Sequence, residues 1–194
     1  VLLTNRKDIK KLNNAGIYNF DELVKLNPKT KIEGLRDEIK IKRINQAKLQ
    51  IEAEEKGYPI FKVIEENLIL NKGFNLLPKP SECDLFFDIE SVQDYVFPGR
   101  LEYLFGIYYE ENGEKIFKPF WAHNKKEEKQ SVIDFFTFTK GHFKKYPKAK
   151  IYHYASYEIK ALERLTSLHK VHGVDYDHYL NLGRFVDLFR VVKQ

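Results

Sequence analysis

Apolar positions along this chain follow two different rules. Up to about residue 57 they recur at helical spacing, whereas from residue 84 onward short apolar and aromatic runs alternate with helical stretches. In the first region, residues 8–26 read as two short helices around a tight turn. Gly16 supplies a left-handed C-cap for the first helix. Asn19 can cap the second, and Glu22 three residues on completes a capping box. Phe20, Leu23, Val24 and Leu26 give that helix its apolar positions, and Asn27-Pro28 ends it, because a residue before proline is pushed out of the helical region. A turn at residues 32–35 leads into a long polar helix with core contacts expected at Ile39, Ile44, Ala47 and Ile51. Pro59, Gly73, Pro78 and Pro80 suit a connector over residues 58–83.

The second region opens with Asp84, Leu85, Phe86, Phe87, Asp88, Ile89 and Glu90, a strand of the kind found inside a sheet. Residues 101–109 and 115–121 follow as strands, with Glu111-Asn112-Gly113 turning between them, which gives a three-stranded meander. Pro119 places the third strand at the sheet's edge. Residues 125–145 read as an amphipathic helix built on Val132, Ile133, Phe135, Phe136 and Phe143. Residues 150–153 form a fourth strand, Ser156 caps a helix through Ile159, Leu162 and Leu165, and residues 185–188 form a fifth strand. The fold class expected is therefore α/β: a mixed sheet flanked by helices and preceded by a small all-α module. The expected domains are a helical module over 1–57, a linker over 58–83 and a catalytic-type domain over 84–194.

Composition narrows this picture. At 43% hydrophobic and 14% aromatic, the chain can bury a core. A single cysteine, Cys83, excludes an internal disulfide and a cysteine-based zinc site, and suits a reducing cytoplasm. No apolar stretch is long enough to span a membrane. The chain has no Met and stops in mid-pattern, so it is expected to be part of a longer protein, with the second domain truncated at its C-terminus. Net charge is +5, and residues 1–57 hold 13 Lys/Arg against 9 Asp/Glu, which permits contact with phosphate backbones.

Candidate chemistry centres on the acids. Asp88 and Glu90 project from the same side of their strand, about 7 Å apart. Buried and unpaired, two such carboxylates are costly, and a hard divalent cation would relieve that cost. On an edge strand the same acids would simply face water, so both readings stand. Glu158 opens the helix after the fourth strand, near the sheet's carboxyl edge where α/β sites lie. Three acids from two segments could thus converge. His153 ends the fourth strand and Asp187 lies on the fifth. Residues 140–150 are basic with interleaved aromatics and read as a solvated helix end rather than a strand-binding groove. Tyr152, Tyr154 and Tyr157 could stack on bases or pack, and His169 and His172 read as loop surface.

In combination the motifs resemble a family. An Asp-x-Glu strand, a His-x-x-x-Tyr-Glu segment at 153–158 and a Val-Asp-Leu strand at 186–188 are similar to the DEDD exonucleases. More closely, residues 86–90, 101–106, 152–158 and 185–192 resemble the ribonuclease-H-like nuclease domain often joined to RecB-family nucleases. The resemblance implies a 3′→5′ exonuclease acting on DNA or RNA with two Mg²⁺ or Mn²⁺ ions about 4 Å apart. It implies that Asp88 bridges both ions, Glu90 holds one ion and the attacking water, and Glu158 holds the second ion. His153 and Asp187 would support them from behind, and a fourth acid would follow Gln194. Most relatives carry Asp where this chain has Glu158. The alternatives are a non-catalytic nucleic-acid-binding domain and an adaptor fused to or associated with other nuclease domains. The first segment resembles a helix-hairpin-helix module, which grips DNA backbones, although a small packing bundle would share its pattern.

Overall fold

The computed structural model describes residues 6–62, 73–94 and 99–192, excepting the side chain of Asp94. Part of the expected connector therefore lies outside the described residues. The chain divides into two compact units, Val1–Glu65 and Glu66–Gln194.

Among its described residues the first unit holds three helices, α1 (Arg6–Asn14), α2 (Phe20–Lys25) and α3 (Asp37–Lys56). Gly16 adopts the left-handed conformation expected of it, with φ +78°. The capping box is complete: Glu22 N donates to Asn19 Oδ1 at 2.9 Å, and Asn19 N donates to Glu22 Oε2 at 3.3 Å. Leu12, Ile17, Leu23, Ile32, Leu35, Ile44 and Ala47 form the core, while Ile39 packs against it half-buried. Hydrophobic spacing gave no hint of Lys40, whose side chain is fully buried. Its ammonium donates to the Thr30 carbonyl and to Asp37 Oδ1, so the charge is hydrogen-bonded wherever it is hidden from water.

The described residues of the second unit contain a 3₁₀ turn (Gly73–Leu76), β1 (Leu85–Asp94), β2 (Gly99–Glu111), β3 (Glu114–Trp121), α4 (Lys125–Lys145), β4 (Ile151–His153), α5 (Tyr157–His169), α6 (Gly173–Asn181), β5 (Phe185–Asp187) and α7 (Leu188–Val192). The strands form one sheet in the order β3-β2-β1-β4-β5. The first three make the antiparallel meander, and β4 and β5 run parallel to β1. Pro119 lies on the edge strand as expected. The acid-bearing strand β1 is the sheet's centre.

Packing covers one face of this sheet. Leu85, Phe87 and Ile89 of β1 join Phe105 and Ile107 of β2 and Val132, Phe135 and Phe136 of α4 in a continuous core, closed by Leu162 and Leu165 of α5 and Tyr176 and Tyr179 of α6. The intervening residues Phe86, Asp88 and Glu90 are exposed, as strand periodicity requires when only one face is packed. Asp84, at the start of this motif, serves the fold: its carboxylate accepts from Lys150 N at 2.8 Å and Ser81 N at 2.9 Å, pinning the start of β1 beside β4.

Four expectations need correction. A helix, α6, fills the region after α5, and the fifth strand ends at Asp187 because Leu188 opens α7. The segment 173–181 is too polar to show an apolar stripe, yet Tyr176 and Tyr179, three residues apart, are both buried. His169 and His172 are not loop surface: His169 Nε2 lies 3.0 Å from Glu128 Oε2, and His172 pairs with Asp175 at 2.7 Å while stacking on Phe136. Ser156 occupies the N-cap position of α5, but its side chain makes no capping hydrogen bond. The basic segment at 140–150 is the solvated helix end it was read as, with Lys140 paired to Asp175 and Lys145 to Glu111.

Candidate active site

The sheet delivers its acids to one place. Asp88 lies opposite Gly106 on β2, and Glu90 opposite Leu104, immediately before a β-bulge between Glu90 and Ser91. Both carboxylates point to the uncovered face. There they line a groove of about 480 Å³ together with Phe86, Tyr108, Phe117 and Tyr152. A Cβ at Gly106 would fall 3.0 Å from the Phe117 ring that lies across it, so a side chain there would have to push that ring aside. Tyr152 stacks on Phe86 with ring centroids 5.4 Å apart.

Glu158 approaches from behind this groove. It is the second residue of α5 and is 4% exposed. Its Oε2 has no hydrogen-bond partner, and neither does Nδ1 of the equally buried His153. The two atoms face each other at 3.6 Å, beyond hydrogen-bonding distance. An unpartnered buried carboxylate oxygen is costly, and here it lies beside the strand acids.

Electrostatics links the three acids. Asp88 is held above the ordinary aspartate range, first by partial burial among the groove's apolar walls, then by the charges of Glu158 and Glu90. A carboxyl group whose pKa is raised on folding favours the folded state below its unfolded pKa, and that contribution is lost as pH rises through the folded value. Asp88→Asn should therefore raise the melting temperature of the metal-free protein, by a small amount given solvent screening. The gain should be larger at pH 7 than near pH 4, which thermal melts at the two pH values will check.

Asp187 plays a backbone role. Its Oδ1 accepts from Ala155 N and from Phe189 N, both at 2.9 Å. Ala155 is held at φ +66°, in the left-handed region that costs a residue with a Cβ about 1 kcal/mol or more. Asp187 thus fixes the turn from β4 into α5 and so sets where Glu158 begins.

The residues fit a hard divalent cation in chemistry: three carboxylates, one with an unsatisfied buried oxygen, and mutual repulsion that a cation would relieve. Among the described residues, no three His, Cys, Asp or Glu side chains already converge on a single ligation point.

A family model described as the RNase H superfamily matches residues 85–194, more than half of the chain. The chain belongs to the RNase H superfamily. The mixed five-stranded sheet with its packed helices is an RNase H-like α/β fold, and membership points to nuclease-type hydrolysis of nucleic acid. Nucleases of the RNase H superfamily generally use divalent metals. Searches of curated proteins and of solved structures found no match. Among the described residues, no helix is long and apolar enough to cross a membrane.

One group at this RNase H-like site carried no sequence signal. Glu102 is fully buried on β2 and pairs with Arg164 of α5. Nothing but an acid inside the apolar run 101–109 marks it.

Proposed function

We propose that this chain is a metal-dependent phosphodiesterase of nucleic acid, a DEDD-type 3′→5′ exonuclease of the kind associated with RecB-family nucleases. The observation that carries this reading is Asp88, raised first by partial burial and then by its closeness to Glu158 and Glu90, beside a buried Glu158 oxygen without a hydrogen bond. Asp88, Glu90 and Glu158 would hold two Mg²⁺ or Mn²⁺ ions. When bound, such ions supply an activated water and stabilise the leaving oxygen of a phosphodiester. The chain's own contribution is placement. The central strand presents Asp88 and Glu90 on its open face, α5 brings Glu158 behind them, and Asp187 holds the turn that starts α5. His153 lies close enough to Glu158 to restrain its carboxylate once both are drawn toward a cation. Phe86, Tyr108 and Phe117 offer exposed ring faces on which bases of a strand, DNA or RNA, could stack. We assign the domain to 84–194 and the helices of 1–57 to a helix-hairpin-helix-like module that precedes it in the sequence.

The alternative is a nucleic-acid-binding domain without turnover. It is favoured by the lack of three converging ligands among the described residues. Incubating end-labelled DNA and RNA strands with the protein and Mn²⁺ or EDTA separates the two. Shortening from the 3′ end that needs Mn²⁺ supports the exonuclease, and binding that is indifferent to Mn²⁺ without cleavage supports the alternative.

A further inference from the structure

The first turn of α5 is held in an unusual way. Ser156 sits at its N-cap without a capping bond, so the helix start depends on contacts from elsewhere. One is the Asp187 bond to Ala155 N already described. The other comes from Tyr157, the residue directly before Glu158. Its hydroxyl donates to Glu102 Oε1 at 3.1 Å. Ser91 and Glu102 are cross-strand partners in the β1–β2 ladder, and the β-bulge falls between Ser91 and Glu90. Tyr157, the residue beside Glu158, therefore reaches the cross-strand partner of the residue beside Glu90.

The partner of that hydroxyl is itself fixed. Glu102 is fully buried and ion-paired with Arg164, two turns along α5. Its backbone N–H donates to Glu128 Oε1 at 2.9 Å. Glu128 is in turn held by Lys125 at 2.9 Å and His169 at 3.0 Å. The guanidinium of Arg100 lies over the Tyr157 ring, 5.2 Å from its centroid. A buried network of this size could serve stability alone. Its attachment points argue for more, because a bulged strand and an uncapped helix are the two places where the acids' relative position could drift.

We propose that Tyr157 is a positioning residue, clamping the bulge after Glu90 to the first turn of α5 through Glu102, the cross-strand partner of Ser91, and so setting the separation of the strand acids from Glu158. This rests on the metal-binding reading of those acids. The clamp acts through the hydrogen bond of one hydroxyl, and Phe at this position would keep the ring and its packing while removing that bond.

The test uses the full chain as the parent, Tyr157→Phe and Glu102→Gln. Mn²⁺ affinity is measured by calorimetry, and hydrogen exchange over residues 156–160 is measured without metal. Residues that orient metal ligands typically account for about 10–100-fold in affinity, so Tyr157→Phe should lose that much. Its α5 amides should exchange faster while its melting temperature stays within about 4 °C of the parent. Glu102→Gln keeps an acceptor for the hydroxyl and should bind closer to the parent than Tyr157→Phe does. Parent-like Mn²⁺ affinity and parent-like exchange in Tyr157→Phe would overturn the proposal, as would a lowered melting temperature with affinity unchanged. Failure of the parent to bind Mn²⁺ would sink the metal reading instead, and exchange over 156–160 would then decide the clamp on its own.

Discussion

Replacing Asp88 by Asn and Glu90 by Gln together is expected to abolish Mn²⁺ binding, with the dissociation constant rising by at least about a hundredfold in calorimetry. The expectation follows from charge. A hard cation is held by anionic oxygen, and its affinity is tuned over orders of magnitude by how many charged ligands a site supplies. The double variant removes both carboxylates that line this groove and leaves only Glu158 behind it. It should leave the fold intact, because both side chains face the open side of the sheet while the core is built from Leu85, Phe87 and Ile89. A melting temperature equal to or above the parent's is the accompanying result, since the repulsion around Asp88 disappears. Metal-dependent cleavage should vanish with binding. Equal Mn²⁺ affinity in parent and double variant would remove these acids from the metal site altogether.

The fate of Glu158 gives this prediction a second arm. Spacing along β1 suggests that its acids carry the cost of burial, but the covered face of the sheet belongs to the apolar residues and the buried acid is Glu158. Glu158→Gln should therefore reduce Mn²⁺ binding too, while removing an unsatisfied buried charge from the metal-free protein.

Much of the architecture was legible because it follows from period and punctuation. Apolar and aromatic runs and the turn at Glu111-Asn112-Gly113 marked β1 to β3, Pro119 marked the edge, and the apolar positions of 125–145 marked α4 to within the bounds it adopts. Asn19 and Glu22 announced a capping box because that motif is purely local. Features set by tertiary contact were not legible. Helix α6 depends on two tyrosines docking against Phe185 and Phe143, and no apolar stripe records this. Lys40 and Glu102 are fully buried through partners 10 and 62 residues away, Thr30 and Arg164, and hydropathy assigns both to the surface. The nearness of Glu158 to Asp88 was foreseeable from strand–helix order. The tie from Tyr157 to Glu102 was not, since it joins α5 to β2 across 55 residues of sequence.

Phe135→Ala is expected to destabilise the second unit by about 3–5 kcal/mol. Phe135 is fully buried on α4, its ring centroid 4.5 Å from that of Phe87 on the central strand and 5.2 Å from that of Phe136. Truncation removes these contacts and leaves a cavity between a helix and a sheet that cannot both close on it. Domains are stable by only about 5–15 kcal/mol, so the melting temperature should fall by roughly 10 °C or more. Phe117→Ala provides the contrast. That ring is 58% exposed on the opposite face, resting over Gly106 beside Asp88, and its loss should cost under about 1 kcal/mol. If the ring instead contributes a stacking face for substrate, Phe117→Ala should weaken binding of a single strand by about 1–3 kcal/mol while scarcely moving the melting temperature. Equal destabilisation by the two substitutions would mean that the acid-bearing face of the sheet is packed rather than open, and the groove at Asp88 could not then admit a strand.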